Sequence, residues 1–156
     1  MRREAFTLLE LWIVLGILGV LLGLSLPLLS PNRLVLDAAA RSLAAQVTRA
    51  RLEAIRQNTF AGLMIITEGA GGYAIFTDTN GNRAYDPGEA VQLVRFGQGD
   101  WARVRLDPSR STLGNMPILF DPRGVPAKPI TATIALTSGT ATRKVILSQG
   151  GRARVE

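Results

Sequence analysis

Phe6-Thr7-Leu8-Leu9-Glu10-Leu11 opens a run, residues 6–32 (FTLLELWIVLGILGVLLGLSLPLLSPN), in which Glu10 is the only charged residue. Leu11 to Asn32 is a block of 22 residues without a charge. At about 1.5 Å of rise per residue, a helix of that length spans a hydrocarbon core of about 30 Å. Arg2 and Arg3 precede the run and Arg33 ends it. A cleavable secretory signal shares the basic start and the apolar core, but its core ends on a small-residue cleavage site. Here the core passes into Ser25-Leu26-Pro27-Leu28-Leu29-Ser30-Pro31 instead. A signal anchor fits the length and the positive flank. Neither reading accounts for Glu10. A carboxylate at the membrane edge of an apolar run costs free energy unless a partner is close, which marks it as a functional candidate.

Outward from this run, residues 33–57 read as an amphipathic continuation of the helix. Leu36, Ala40, Leu43, Val47, Ala50 and Ala54 recur at spacings of four and three, a stripe suited to lie on a sheet. Pro27 and Pro31 are expected to kink or interrupt the helix, and Gln57-Asn58 to end it. Beyond residue 58 the pattern is that of strands. The candidates are 60–67, 73–77, 91–96, 102–106, 117–120, 131–137, 142–148 and 152–155. Gly69 to Gly72 and Ser138-Gly139-Thr140 read as turns between them. A long helix followed by antiparallel strands is an α+β arrangement, with the helix packed on the sheet.

Composition removes several chemistries. With no Cys and no His, disulfides, Cys/His zinc sites and Cys–His or Ser–His catalysis are excluded. No nucleotide motif is present, so no enzyme is expected. The net charge of +6 is unevenly placed. From Arg123 onward there are six basic residues against one acid, whereas from Glu68 to Asp121 there are five against seven. Basicity is thus a feature of the C-terminal segment.

Two segments are candidate sites. Asp78, Asn80, Asn82 and Glu89 stand at the first, third, fifth and twelfth places of a calcium-type loop, with Asp86 between them. The sixth place, where such loops need glycine for a sharp turn, is Arg83. The alternative is a polar strand connection rich in turn formers. No cofactor is otherwise expected, and calcium is the one candidate. The second segment is Gly151-Arg152-Ala153-Arg154. In a strand Arg152 and Arg154 share a face, with Arg143 and Lys144 on the preceding strand. Clustered guanidinium groups suit phosphates and give salt-dependent, sequence-independent binding of double-stranded DNA. The alternative is a charged edge strand that discourages sheet-to-sheet aggregation.

The N-terminal residues resemble the class III signal of type IV prepilins: a short basic leader, a small residue, then a Phe-Thr-Leu-x-Glu-type start of a long apolar helix. The resemblance implies a leader over 1–5, a membrane and filament-core helix over 6–32, the amphipathic half of the spine over 33–57, and a β-rich head over 58–156. It implies that a prepilin peptidase cuts between Ala5 and Phe6 and N-methylates Phe6. Where that family usually carries Gly before the cut, this chain has Ala5. Glu10 then becomes the fifth residue of the mature chain, and Pro27 falls where the family has a kinking proline. Glu10 of one subunit would pair with the freed amine of Phe6 on its neighbour, setting axial register because a buried charge left single is costly. The head, through Leu119-Phe120-Asp121-Pro122-Arg123-Gly124 and the Gly-Arg-x-Arg ending, resembles the FimT/GspH group of minor pilins and pseudopilins. The resemblance implies a structural subunit of a type IV pilus or type II secretion pseudopilus. Its implied partners are other pilin or pseudopilin subunits, the peptidase, an inner-membrane assembly platform and lipid before assembly. Its implied location is the inner membrane, crossed once, with the head outside the cytoplasm. DNA uptake in natural transformation is the alternative role.

Overall fold

The computed structural model describes residues 7–25, 31–114 and 116–156. The expected cut site, Ala5 and Phe6, and the kinking Pro27 lie outside the described residues. The chain divides into two compact units, Met1–Pro31 and Asn32–Glu156.

In the first unit, α1 spans Leu8–Ser25. Leucine-rich sequence favours the helix strongly enough to carry Gly16, Gly19 and Gly23, each of which costs roughly 1 kcal/mol relative to alanine. From Leu8 to Gly23 every residue is exposed, so the apolar surface runs all the way round. Among the described residues no helix is long and apolar enough to cross a membrane. The 18 residues of α1 rise about 27 Å, against a hydrocarbon core of about 30 Å.

The second helix, α2, spans Pro31–Gln57 and lies in the second unit from Asn32 onward. It starts on proline, whose fixed φ and missing N–H suit the first helical position, and its interior holds neither Gly nor Pro. It stops at Asn58, whose φ of +51 is left-handed. There Asn58 N–H donates to Ile55 O at 3.3 Å and Thr59 N–H to Ala54 O at 3.2 Å, the two bonds of a Schellman ending. The expected stripe is the buried one: Leu36, Ala40, Leu43, Val47, Ala50 and Ala54, joined by Ala39.

The head contains two four-stranded antiparallel sheets rather than one. The first has the order β3(Ala90–Arg95)-β2(Gly72–Thr77)-β1(Ala61–Ile66)-β5(Ile118–Phe120), and the second β4(Arg105–Asp107)-β6(Ala132–Ser138)-β7(Ala141–Leu147)-β8(Ala153–Val155). One core joins α2 to the inner faces of both. Leu63, Ile65, Tyr73, Ile75 and Phe120 come from the first sheet, and Ile134, Leu136, Val145 and Leu147 from the second. Each fully buried large aliphatic side chain there stabilises the fold by roughly 1.5–3 kcal/mol relative to exposure. The strand expected at 102–106 is shorter and later, Arg105–Asp107. Gly97 (φ +81) and Gly99 (φ +55) turn the chain back first, and Gly97 N–H donates to Trp101 O at 2.9 Å.

Candidate functional site

Glu10 sits in the first turn of α1 and faces its own N-cap. Thr7 N–H and Oγ1 donate to Glu10 Oε2 at 3.4 and 3.3 Å, and Glu10 N–H donates to Thr7 Oγ1 at 3.3 Å. This is a capping box, Thr-x-x-Glu, in which two orphan backbone donors are satisfied reciprocally. The carboxylate also lies at the positive end of the helix dipole. Thr7 is the residue that the sequence-based expectations pass over, although its spacing from Glu10 is the ordinary signature of such a cap.

The C-terminal basic residues divide by strand parity. Along β7, Arg143, Val145 and Leu147 face α2, while Thr142, Lys144 and Ile146 face outward. Arg143, opposite Leu136 on β6, donates from Nε to Asp37 Oδ1 on α2, both side chains being about one-third exposed. Its guanidinium therefore ties the helix to the second sheet. Lys144 pairs by backbone with Glu156, with both N–H···O distances at 2.8 Å, and Arg154 lies opposite Ile146. Arg152 is held by Ser148 N–H donating to its carbonyl at 2.9 Å. Arg152 and Arg154 line an open groove of about 750 Å³ together with Ile146, Ser148 and Gln149. Lys144, Arg152 and Arg154 thus share the outer face of the second sheet and Arg143 does not. Arg110 joins that face, donating to Thr142 Oγ1 at 3.2 Å. Glu156 meets Arg154 at 2.7 Å, a solvent-exposed pair worth little in stability.

Gly151 owes its identity to packing. Its φ is +74, and a Cβ there would stand 2.6 Å from Phe120 Cε1 and 2.9 Å from Pro126 Cγ. The Gly-Arg-x-Arg ending is thereby packed on the segment Leu119 to Gly124. In that segment Asp121 Oδ1 accepts from Arg123 N–H and Val125 N–H, both at 2.9 Å, and Oδ2 from the Arg123 guanidinium. Those donors, the Val125 amide first, hold the Asp121 carboxyl below its ordinary value.

The loop 78–89 is closed by its own side chains. Asp78 is buried, with Oδ1 accepting from Gly81 N–H (2.7 Å) and Asn82 N–H (3.1 Å) and Oδ2 from Arg83 N–H (2.9 Å). Asp86 Oδ2 accepts from the amides of Asn80 and Asn82, each at 2.8 Å. Glu89 Oε1 accepts from Thr79 N–H and Oγ1, both at 2.8 Å, and the Thr79 hydroxyl is the largest cause of a lowered Glu89 pKa. Arg83, left-handed at φ +59, lies over the Phe60 ring at 4.7 Å, which gives the sixth position a packing role. Among the described residues no group of three or more His, Cys, Asp or Glu is placed to hold a metal. Glu89 Oε2 is buried without a hydrogen-bond partner. The other carboxylate oxygens named here already accept N–H or O–H donors.

This arrangement has counterparts among known proteins. The family described as Type II transport protein GspH matches residues 39–151. The pilin-like protein PilA1 of Thermus thermophilus is 74% identical over 156 residues, covering all of both chains. This chain is a pilin-like protein of the GspH family. Among solved structures, two crystal forms of the type IV minor pilin FimU of Pseudomonas aeruginosa share the fold of this GspH-family chain. One has a TM-score of 0.53 at 21% identity, covering 78% of this chain and 92% of that one. The other has a TM-score of 0.55 at 22% identity, covering 80% and 90%. The pilin-like architecture of a long helix packed on antiparallel sheets, here α2, is therefore common to them. As a pilin-family chain, it assembles with other pilin subunits in a pilus or pseudopilus.

Proposed function

We propose that this chain is a minor pilin or pseudopilin. The segment 6–32 holds it in the inner membrane, and a prepilin peptidase processes it between Ala5 and Phe6. A filament then takes it up through α1. The observation that carries the reading is the all-round exposure of apolar α1, in contrast to α2, whose buried stripe is fully covered. Such a helix needs lipid or other helices around it. Gly16, Gly19 and Gly23 recur on one side of it with open space at each Cβ position, the small-residue surface that lets helices approach closely in a membrane.

Glu10 can be tested without breaking its cap, since glutamine also serves in a capping box. Glu10→Gln removes only the charge, whereas Glu10→Leu removes both. The expected result is that both variants stay in the membrane and neither reaches filaments. Normal assembly of Glu10→Gln would overturn the pairing of Glu10 with a neighbour's amine. Mass spectrometry of the native chain should find N-methylated Phe6 first, and retention of Met1 would overturn the processing step.

A second reading rests on the outer-face cluster Lys144, Arg152 and Arg154 beside the groove. These cations suit the phosphates of double-stranded DNA during uptake. Retention of DNA by the full-length chain should fall with salt, and the triple alanine variant should flatten that slope by about 0.9 for each phosphate it no longer neutralises. Unchanged retention would leave the cluster a charged sheet edge.

A further inference from the structure

Four strands form sheet edges, and three of them are blunted. β4, β5 and β8 are three residues each. β5 is covered further by the Phe120–Pro126 bridge and by Ala127 N–H donating to Leu119 O at 2.8 Å, and β8 carries Arg154. β3 is the exception. It has six residues, and among the described residues no strand pairs with its far side. It holds neither Lys nor Pro, and Val91 and Leu93 point outward on the same face as Arg95, its one charge. A bulge leaves Val91 without a partner across β2, while Leu93 and Arg95 stay in register with Ala74 and Gly72. A six-residue edge whose exposed side chains are Val91, Leu93 and a single Arg95 is a liability unless something covers it.

A second apolar patch lies at the opposite edge of the same sheet. Leu52 and Ile55 on α2 are neighbours one turn apart, and Gly124 packs so closely that a Cβ there would be 2.7 Å from Ile55 Cδ1. Val125 follows it. Val91, Leu93, Leu52, Ile55 and Val125 are between 46% and 59% exposed. β3 and β5 are three strand spacings apart, about 14 Å. The charges beside the two patches are opposite. Asp86, Glu89 and Asp100 against Arg95 and Arg49, which donates to Gln92, give −1 around β3. Arg51, Arg56 and Arg123 against Glu53 and Asp121 give +1 around Ile55.

We infer that the β3 edge of one head docks on the Leu52–Ile55–Val125 patch of a second copy of this chain. The inference rests on the filament reading. Subunits whose helices run parallel along a filament meet through heterologous contacts, which join two different patches and leave the series open. Opposite edges of one sheet, both apolar and unlike in charge, supply such a pair. An isologous β3-to-β3 contact would use one patch twice and close at a dimer.

The absence of cysteine makes the test clean. Full-length chains carrying Leu93→Cys and Ile55→Cys together are oxidised in the membranes and filaments of producing cells. The expected product is a ladder of disulfide-linked oligomers, with Leu93→Cys or Ile55→Cys alone giving none. Dimers from Leu93→Cys alone would overturn the heterologous contact in favour of β3 self-pairing. A ladder no stronger than that from a double variant with Gly150→Cys in place of Ile55→Cys would also overturn it. Recovery of wild-type chain in filaments is scored in parallel. Chain present there without a ladder defeats the contact alone, while chain absent from filaments and no ladder defeats the filament reading as well.

Discussion

α1, rich in Leu, and α2, rich in Ala, are both long helices, yet they meet opposite surroundings. In α2 one apolar stripe is buried against the two sheets, while Leu34, Leu52 and Ile55 lie off it and are exposed. In α1 the apolar residues surround the axis and remain exposed. Hydrophobicity alone therefore does not state where a helix ends up. Angular distribution does, since a stripe can be satisfied within one chain and an all-round apolar surface needs partners from outside it.

The sharpest way to break this contrast is to shorten one leucine in each helix. Leu43→Ala, at a fully buried site, should cost about 2–5 kcal/mol in thermal or denaturant unfolding of the full chain in detergent. Leu15→Ala in α1 should change head stability by less than about 0.5 kcal/mol. Equal effects would mean that α1 belongs to the packed core. The same contrast can be drawn between adjacent glycines. Gly151→Ala should cost about 1–3 kcal/mol through strain at positive φ and collision with Phe120, while Gly150→Ala, with open space around it, should be near neutral.

Neighbouring cations provide a third pair. Arg143→Ala removes the tie to Asp37 and should cost about 1 kcal/mol of stability without altering DNA retention. Lys144→Ala should do the reverse. At the start of α1, Thr7→Ala should lower helicity of that segment, with a loss of about 1 kcal/mol in helix stability seen by amide exchange, and leave unfolding of the head unchanged. The smallest effect concerns Asp121. Its folded pKa is depressed, so its contribution is fully present above about pH 4, where the unfolded aspartate is ionised, and is lost as pH falls through the folded value. Asp121→Asn should remove that part of the acid dependence of unfolding, and an unchanged acid limb would show that another group carries it.

Much of the fold is legible from residue pattern alone. The stripe from Leu36 to Ala54 needs only a period of 3.6, and the exit at Asn58 only the tolerance of Asn for a left-handed residue. The head's strands are legible within a few residues, apart from 102–106, where two left-handed glycines displace the strand. The candidate basic cluster is half legible. Arg152 and Arg154 fall on one face as expected, but Arg143 and Lys144 cannot both join them, because consecutive strand residues face opposite sides. The loop 78–89 is legible as ligand spacing, while its closure by backbone N–H donors is not.

Sequence by itself determined the properties that depend on near neighbours along the chain: the apolar run after Glu10, the cap that Thr7 and Glu10 form, the amphipathic stripe and the turn positions. These rest on rotation per residue and on local hydrogen bonds, which neighbours in sequence suffice to define. Tertiary structure alone decided that the head has two sheets, that Arg143 reaches Asp37, that Gly151 lies on Phe120, and that β3 is the one long uncovered edge among the described residues. Each of those depends on which distant segments become adjacent, and that is settled by the joint burial of α2 and both sheets in one core.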